Sequence, residues 1–289
     1  MNWLTEPFEL LIYKRALLAA IIIGFTNGYV SAYVVLRKAA LKTGSLSHAL
    51  LPGIAFAILL FGLTPWSAFA GAVVAALIIG LGSLMVSQTS RIDQDTALAV
   101  LYTAAFSAGI VLLGYVNAPG ELEHWLFGDI RGMSDNDLWT VFIIAAASLL
   151  VLTLFQRPII VMLFEPNVAR SLGIPVTVMN YVLFALVILV LISSLQAVGC
   201  ILALGLLVTP AATMLLFTDS PLRLFWGGGI LGTLCSVAAL IISYWLDWPT
   251  GSSIVLILGT VFVIAFLISP KYGVLLMLRQ RHHHHESHA

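Results

Sequence analysis

LKTGSLSHALLPGIA, Leu41 to Ala55, sets an ionisable side chain, His48, inside a run that otherwise reads as membrane-spanning. Read as a helix, the positions sharing the His48 face at spacings of three, four and seven are Gly44, Ser45, Pro52 and Ala55. All are small or helix-disturbing, whereas Leu46, Leu50 and Ile54 lie elsewhere. Pro52 has no N–H and its ring crowds the carbonyl four residues earlier, so the C=O of His48 loses its helical partner. One residue thereby offers an imidazole nitrogen and a freed carbonyl oxygen. The plainer reading is a histidine bonded to a neighbouring helix beside a simple kink. Ionisable groups inside a bilayer are functional candidates by default, which favours a pathway residue.

Composition fixes the class. Of 289 residues 61% are hydrophobic and only 9% charged, with a mean hydropathy of +1.06. A soluble fold would carry about 25% charged residues, so the chain reads as an all-α polytopic transmembrane helical bundle without a large aqueous domain. The formal net charge of zero argues against a nucleic-acid partner. Lys14 and Arg15 precede an apolar run too long for a cleavable signal, so the first span is expected to stay. Cys200 and Cys235 are isolated and suggest neither a disulfide nor a zinc site.

Three segments are expected: residues 1–15 as an interfacial lead-in, 16–270 as the transmembrane domain and 271–289 as a His-rich tail. Apolar runs fall at roughly 16–36, 46–62, 66–87, 96–116, 138–155, 177–195, 198–217, 224–246 and 251–269. These give eight to nine spans, the lower number if one of the shorter runs crosses only in part. If they alternate, Arg37, Lys38, Lys42, Arg91, Arg157, Arg170, Arg223, Lys271, Arg279 and Arg281 share one side. The positive-inside rule makes that side cytoplasmic, with the N-terminus outside and the C-terminus inside.

Among the connections, Asn117 to Asn136 gathers Glu121, Glu123, His124, Asp129 and Asp135 beside Trp125 and Phe127. It reads either as a cation-attracting mouth or as an interfacial helix with solvated acids. Ser90 to Thr96 ends with Asp95, expected as the N-cap of the following span. In EPNVARSLGIP, Glu165 to Pro175, Glu165 and Pro166 open a short helix of about two turns, Gly173 ends it and Pro175 blocks its continuation. It sits between two spans on the basic side, and could be gripped by a partner or lie on lipid.

Further pathway candidates follow from the same chemistry. Pro210 frees the carbonyl of Leu206, with Thr209 and Thr213 adding hydroxyls. Asp247, in LDWPTG, guards an outer mouth or caps a turn. Gly228 and Gly232 form a GxxxG pair suited to helix contact. The tail places His282, His283, His284, His285 and His288 after the last span, a cluster able to take up a transition metal. No GxxxxGK[ST] loop is present, so the chain is not expected to be an ATPase or other enzyme. It runs either on an ion gradient or on a separate ATPase.

In these residues the chain resembles the permease subunits of bacterial ABC importers for divalent metal ions, the zinc, manganese and iron uptake class. The resemblance rests on AYVVLRKAALKTGSLSHALLPGIAFA (Ala32 to Ala57), HWLFGDI (His124 to Ile130), EPNVARSLGIP, AVGCILALGLLVTPAATMLL (Ala197 to Leu216) and YWLDWPTGSSIVLILG (Tyr244 to Gly259). It implies transport of manganese, zinc or ferrous iron with no permanently bound cofactor. It also implies a second permease copy or paralogue, cytoplasmic ATPase subunits, an extracytoplasmic metal-binding protein and residence in the bacterial cytoplasmic membrane. Glu165 to Pro175 then resembles a coupling helix, with Glu165, Asn167, Arg170 and Gly173 facing the ATPase. The family pattern of Gly-Asp-Ala-x-Ser-His followed by Pro-Gly carries over to His48, Pro52 and Gly53, but Gly44 occupies the aspartate position. Ser45 and Ser47 are left as hydroxyl ligands beside His48. The alternative is a stand-alone gradient-driven cation transporter; a membrane scaffold without transport would tolerate loss of His48.

Overall fold

The structure, a computed structural model, describes residues 10–62, 64–113, 128 and 130–271, with backbone alone at 40–49, 51, 65, 88, 110, 113, 196–198 and 200–202. Every element among the described residues is helical: α1 (Leu11–Leu36), α2 (Ala40–Phe61), α3 (Pro65–Thr89), α4 (Gln94–Leu113), a 3-10 turn (Ile130–Gly132), α5 (Asp135–Leu154), α6 (Gln156–Phe164), α7 (Pro166–Ser171), α8 (Val176–Val198), α9 (Cys200–Leu215), α10 (Pro221–Leu246) and α11 (Thr250–Ile268). Hydrocarbon offers no partner for a backbone N–H, so long apolar runs must satisfy their amides internally. The nine runs become α1–α5 and α8–α11. Six of these helices (α1, α3, α5, α8, α10 and α11) are long and apolar enough to cross a membrane outright. α9, at 16 residues, is about 24 Å long, the shortest of the nine.

Side-chain distribution fits that environment. Large apolar groups face outward, with Ile78 67%, Met85 68%, Leu150 66% and Leu154 71% exposed, while the interior mixes buried alanine, glycine and serine with leucine, isoleucine and valine. Lipid is as apolar as leucine, so close packing rather than burial of large groups holds such helices together. α1 is the most enclosed span, 72% buried, and packs on α10, α9, α5 and α8. Its Gly24 and Gly28 meet Gly232 and Gly228 of α10 so closely that a Cβ at Gly24 would stand 2.8 Å from the Gly232 carbonyl oxygen. The GxxxG pair read in the sequence is thus a helix contact, and its unforeseen half is a second such pair on α1. Tyr29 of α1 then lies between Phe225 and Trp226, ring centroids 5.1 and 5.4 Å away.

Cross-bundle contacts sort the helix ends. At one end Arg15 pairs with Asp135 at 2.8 Å and Tyr13 meets the Tyr244 ring edge-on at 5.0 Å. This joins the starts of α1 and α5 to the end of α10. At the other end Arg37 at the foot of α1 donates to Asn180 of α8 at 2.6 Å. Ser269 donates to the Leu216 carbonyl at 2.7 Å and Lys271 pairs with Asp219, joining the ends of α9 and α11 beside the start of α10. The alternation expected from sequence agrees with each of these contacts.

Two local expectations change. The span α4 is capped by Asp93 and not by Asp95. The Asp93 carboxylate accepts the Thr96 hydroxyl at 2.7 Å and the Thr96 N–H at 3.0 Å, because a cap must lie outside the first turn whereas Asp95 lies within it. The Thr96 hydroxyl, then the Thr96 amide, hold the Asp93 carboxyl below its ordinary range. α1 begins at Leu11, so Leu11 to Arg15 of the expected lead-in form its opening turn. Residues 1–9, Glu121, Glu123, His124 and Asp129 of the connection between α4 and α5, and the tail histidines lie outside the described residues.

Candidate functional site

The helix carrying His48 is continuous from Ala40 to Phe61 with Pro52 inside it. Its neighbours explain how a proline is accommodated there. On one side Gly53 meets Gly71 of α3, backbone against backbone, with Ala57 and Ala75 flanking the contact. On another, α4 sets Gly109 over the proline: a Cβ at Gly109 would stand 2.9 Å from the Pro52 nitrogen and 3.1 Å from its Cδ. The Pro52 turn is therefore held by two small-residue contacts. α2 also packs against α9, the other helix with an internal proline.

Counted from the ends that share a side, His48 stands eight residues into α2 and Leu206 nine residues before the end of α9. At 1.5 Å per residue both lie about 12–14 Å deep. Each carbonyl faces a proline nitrogen four residues on and has no helical donor. The structure thus brings together the helices of His48 and Pro52 and of Leu206 and Pro210, with the two carbonyl positions that proline deprives of an i+4 donor at similar depth. Ser45, Ser47 and Gly44 lie on the first turns of α2; of them and of His48 the backbone alone is described.

α1 supplies a polar seam beside these helices, which sequence reasoning missed. Ser31, fully buried, donates to the Gly28 carbonyl and accepts the backbone N–H of Ala211 at 3.1 Å, one residue past Pro210. Asn27, also buried, donates to the Ile23 carbonyl at 3.0 Å and faces the Ser194 hydroxyl of α8 at 3.4 Å. The signal was available: Asn27 is an amide side chain in the middle of an apolar run. Thr213 merely bonds back to the Thr209 carbonyl at 2.8 Å. Asp247 has φ 51° and ends α10 in a left-handed cap, exposed at the turn into α11. Among the described residues no three His, Cys, Asp or Glu side chains converge.

The EPNVARSLGIP segment folds largely as its sequence implies. Pro166 occupies the first position of α7, where its missing N–H costs nothing. The helix is six residues, shorter than the two turns expected. Gly173, at φ +76°, donates to the Arg170 carbonyl and Ile174 donates to the Ala169 carbonyl, each at 3.0 Å, the Schellman arrangement that ends a helix at glycine. Pro175 then caps the start of α8. Ala169 is buried in the core while Glu165, Asn167 and Arg170 are exposed, so one face is anchored and the other presented.

The chain is 38% identical over 280 residues, 95% of its length and 94% of the relative's, to the manganese transport system membrane protein MntC of Halalkalibacterium halodurans. It is 35% identical, over 89% of its length and 91% of the relative's, to the manganese import system permease protein ScaB of Streptococcus parasanguinis. The solved structure of PsaBC from Streptococcus pneumoniae in complex with Fab superposes with a TM-score of 0.84 at 32% identity, covering 96% of this chain and 98% of that one. Residues 9–269 match the ABC 3 transport family, and the chain belongs to that family.

Proposed function

We propose that the chain is the membrane permease of an ATP-driven importer whose cargo is manganese, or failing that zinc or ferrous iron. The observation that carries this is the similarity, over 95% of the chain, to a protein named for manganese transport. The fold supports it: two helices with internal prolines pack side by side, setting the His48 and Leu206 carbonyls, each without an N–H four residues on, at similar depth, and a short, well-terminated helix stands at the end of the bundle. Manganese suits oxygen ligands with an occasional imidazole. His48, with Ser45 and Ser47, is assigned to the ion in transit, and Pro52, Leu206 and Pro210 to the pathway. Asp247 is assigned to the outer mouth.

With Gly44 in place of a carboxylate, a single copy offers one imidazole and neutral oxygens. A second permease copy facing it across a two-fold axis would double that set. The end of the bundle bearing Arg37, Arg170 and Lys271 is assigned to the cytoplasm by its basic residues, which puts the N-terminus outside. Glu165, Asn167, Arg170 and Gly173 of the α7 segment then receive a separate ATPase, whose nucleotide cycle opens the α2–α9 helices alternately to either side. An extracytoplasmic protein delivers the ion, and His282 to His285 with His288 accept it on exit.

The test is His48→Ala in the assembled importer. Metal uptake is abolished while the ATPase still copurifies; normal uptake by this variant would remove His48 from the site.

A further inference from the structure

At the end of the bundle assigned to the cytoplasm, a cavity of about 290 Å³ lies between α1, α3, α4, α7 and α8. Its wall includes two guanidiniums, Arg37 and Arg170, with Tyr33, Asn180, Thr177 and Gln94. Arg37 donates to two neutral oxygens, the Tyr33 hydroxyl and Asn180 Oδ1, each at 2.6 Å. Arg170 makes no side-chain hydrogen bond or ion pair among the described residues. Among the described residues neither guanidinium has an ion pair, so two positive charges line one cavity. Nearby Asp93 is already engaged by Thr96.

Tyr181 also lines a second, apolar groove, with Leu81 and Met85 of α3 and Val182 and Ala185 of α8. The groove opens to the surface of the bundle: Leu81 is 40%, Val182 47% and Met85 68% exposed. On α8 the groove is lined by Val182 and Ala185, about 1.7 and 2.5 turns from the helix start at Val176, along the same stretch whose Asn180, Tyr181, Phe184 and Val187 line the cavity. The charged cavity and the apolar groove thus lie side by side along α3 and α8 and meet at Tyr181. Basic recesses of this kind on the cytoplasmic side select anionic lipid.

We infer that this is a binding site for an anionic phospholipid, its phosphate held by Arg37 and Arg170 and one acyl chain laid in the groove between α3 and α8. The site touches α7, so the lipid braces the helix assigned above to the ATPase against α1 and α8. The inference goes beyond the transport reading and rests on it only for the naming of the leaflet.

Native mass spectrometry of the purified chain in detergent, offered phosphatidylglycerol or phosphatidylcholine of matched chains, tests it. The expected result is roughly tenfold better retention of phosphatidylglycerol. Arg37→Gln with Arg170→Gln brings that ratio to one, and Ala185→Trp, which fills the groove and leaves both charges, lowers retention as well. Equal retention of the two lipids by the native chain overturns the site. So does full retention of phosphatidylglycerol by Ala185→Trp, or its displacement by inorganic phosphate at equal concentration, either of which marks a simple phosphate site. Should the double arginine variant fail to melt cooperatively, the native-chain ratio and Ala185→Trp decide. None of these readouts depends on which end faces the cytoplasm or on uptake, so failure here leaves the transport reading standing.

Discussion

Replacing Gly28 by alanine adds one methyl group at one of the two closest glycine crossings in the bundle. Its Cβ would lie 2.8 Å from the carbonyl carbon and 3.1 Å from the Cα of Gly228 and Gly229 respectively, with the Gly228 oxygen closer still. Ordinary carbon contacts are about 3.5–4.0 Å, and the obstructing atoms are backbone, so no side chain can swing aside. α1 and α10 must separate by roughly 0.7 Å or more, loosening Tyr29 between Phe225 and Trp226. Overpacking of this kind costs about 1–3 kcal/mol, offset by about 1 kcal/mol because alanine is the better helix former. Gly259 of α11 is the internal control, since a Cβ there meets nothing within 4 Å. Gly259→Ala retains only the helix-propensity gain. Thermal melting of both variants in one detergent should therefore move in opposite directions, Gly28→Ala below the native chain and Gly259→Ala level with or above it. A Gly28→Ala protein as stable as the native chain would refute the close crossing and with it the packing of α1.

Two further outcomes are expected from single substitutions. Ser31→Ala removes the acceptor for the Ala211 N–H beside Pro210 and should destabilise the protein by about 1 kcal/mol, read as a lower melting temperature. Arg170→Glu on the exposed face of α7 should weaken copurification of the ATPase severalfold without unfolding the chain, and unchanged copurification would move the docking surface elsewhere.

Much of this was legible in the sequence. Nine apolar runs became nine helices because hydrocarbon allows a spanning backbone little else, and Pro166, Gly173 and Pro175 bounded α7 because each has a backbone constraint that operates locally. What could not be read were pairings over long sequence distance. Gly28 with Gly228, Gly53 with Gly71 and Gly109 over Pro52 are each ordinary small residues until a second helix arrives. Ser31 looks like any serine in a membrane helix, and its acceptance of the Ala211 N–H depends on α9 lying 180 residues away in the chain. Asp93 and Asp95 differed by a single turn boundary, a matter of one or two residues that pattern alone does not resolve.

The central claim is tested most directly by uptake of manganese, zinc and ferrous iron, offered one at a time to proteoliposomes. These would hold the chain with its ATPase and binding protein, with and without ATP on the side the ATPase faces. The account predicts accumulation that requires ATP, with manganese preferred. Accumulation driven by a proton or sodium gradient without ATP would contradict it and leave a cation transporter that acts alone.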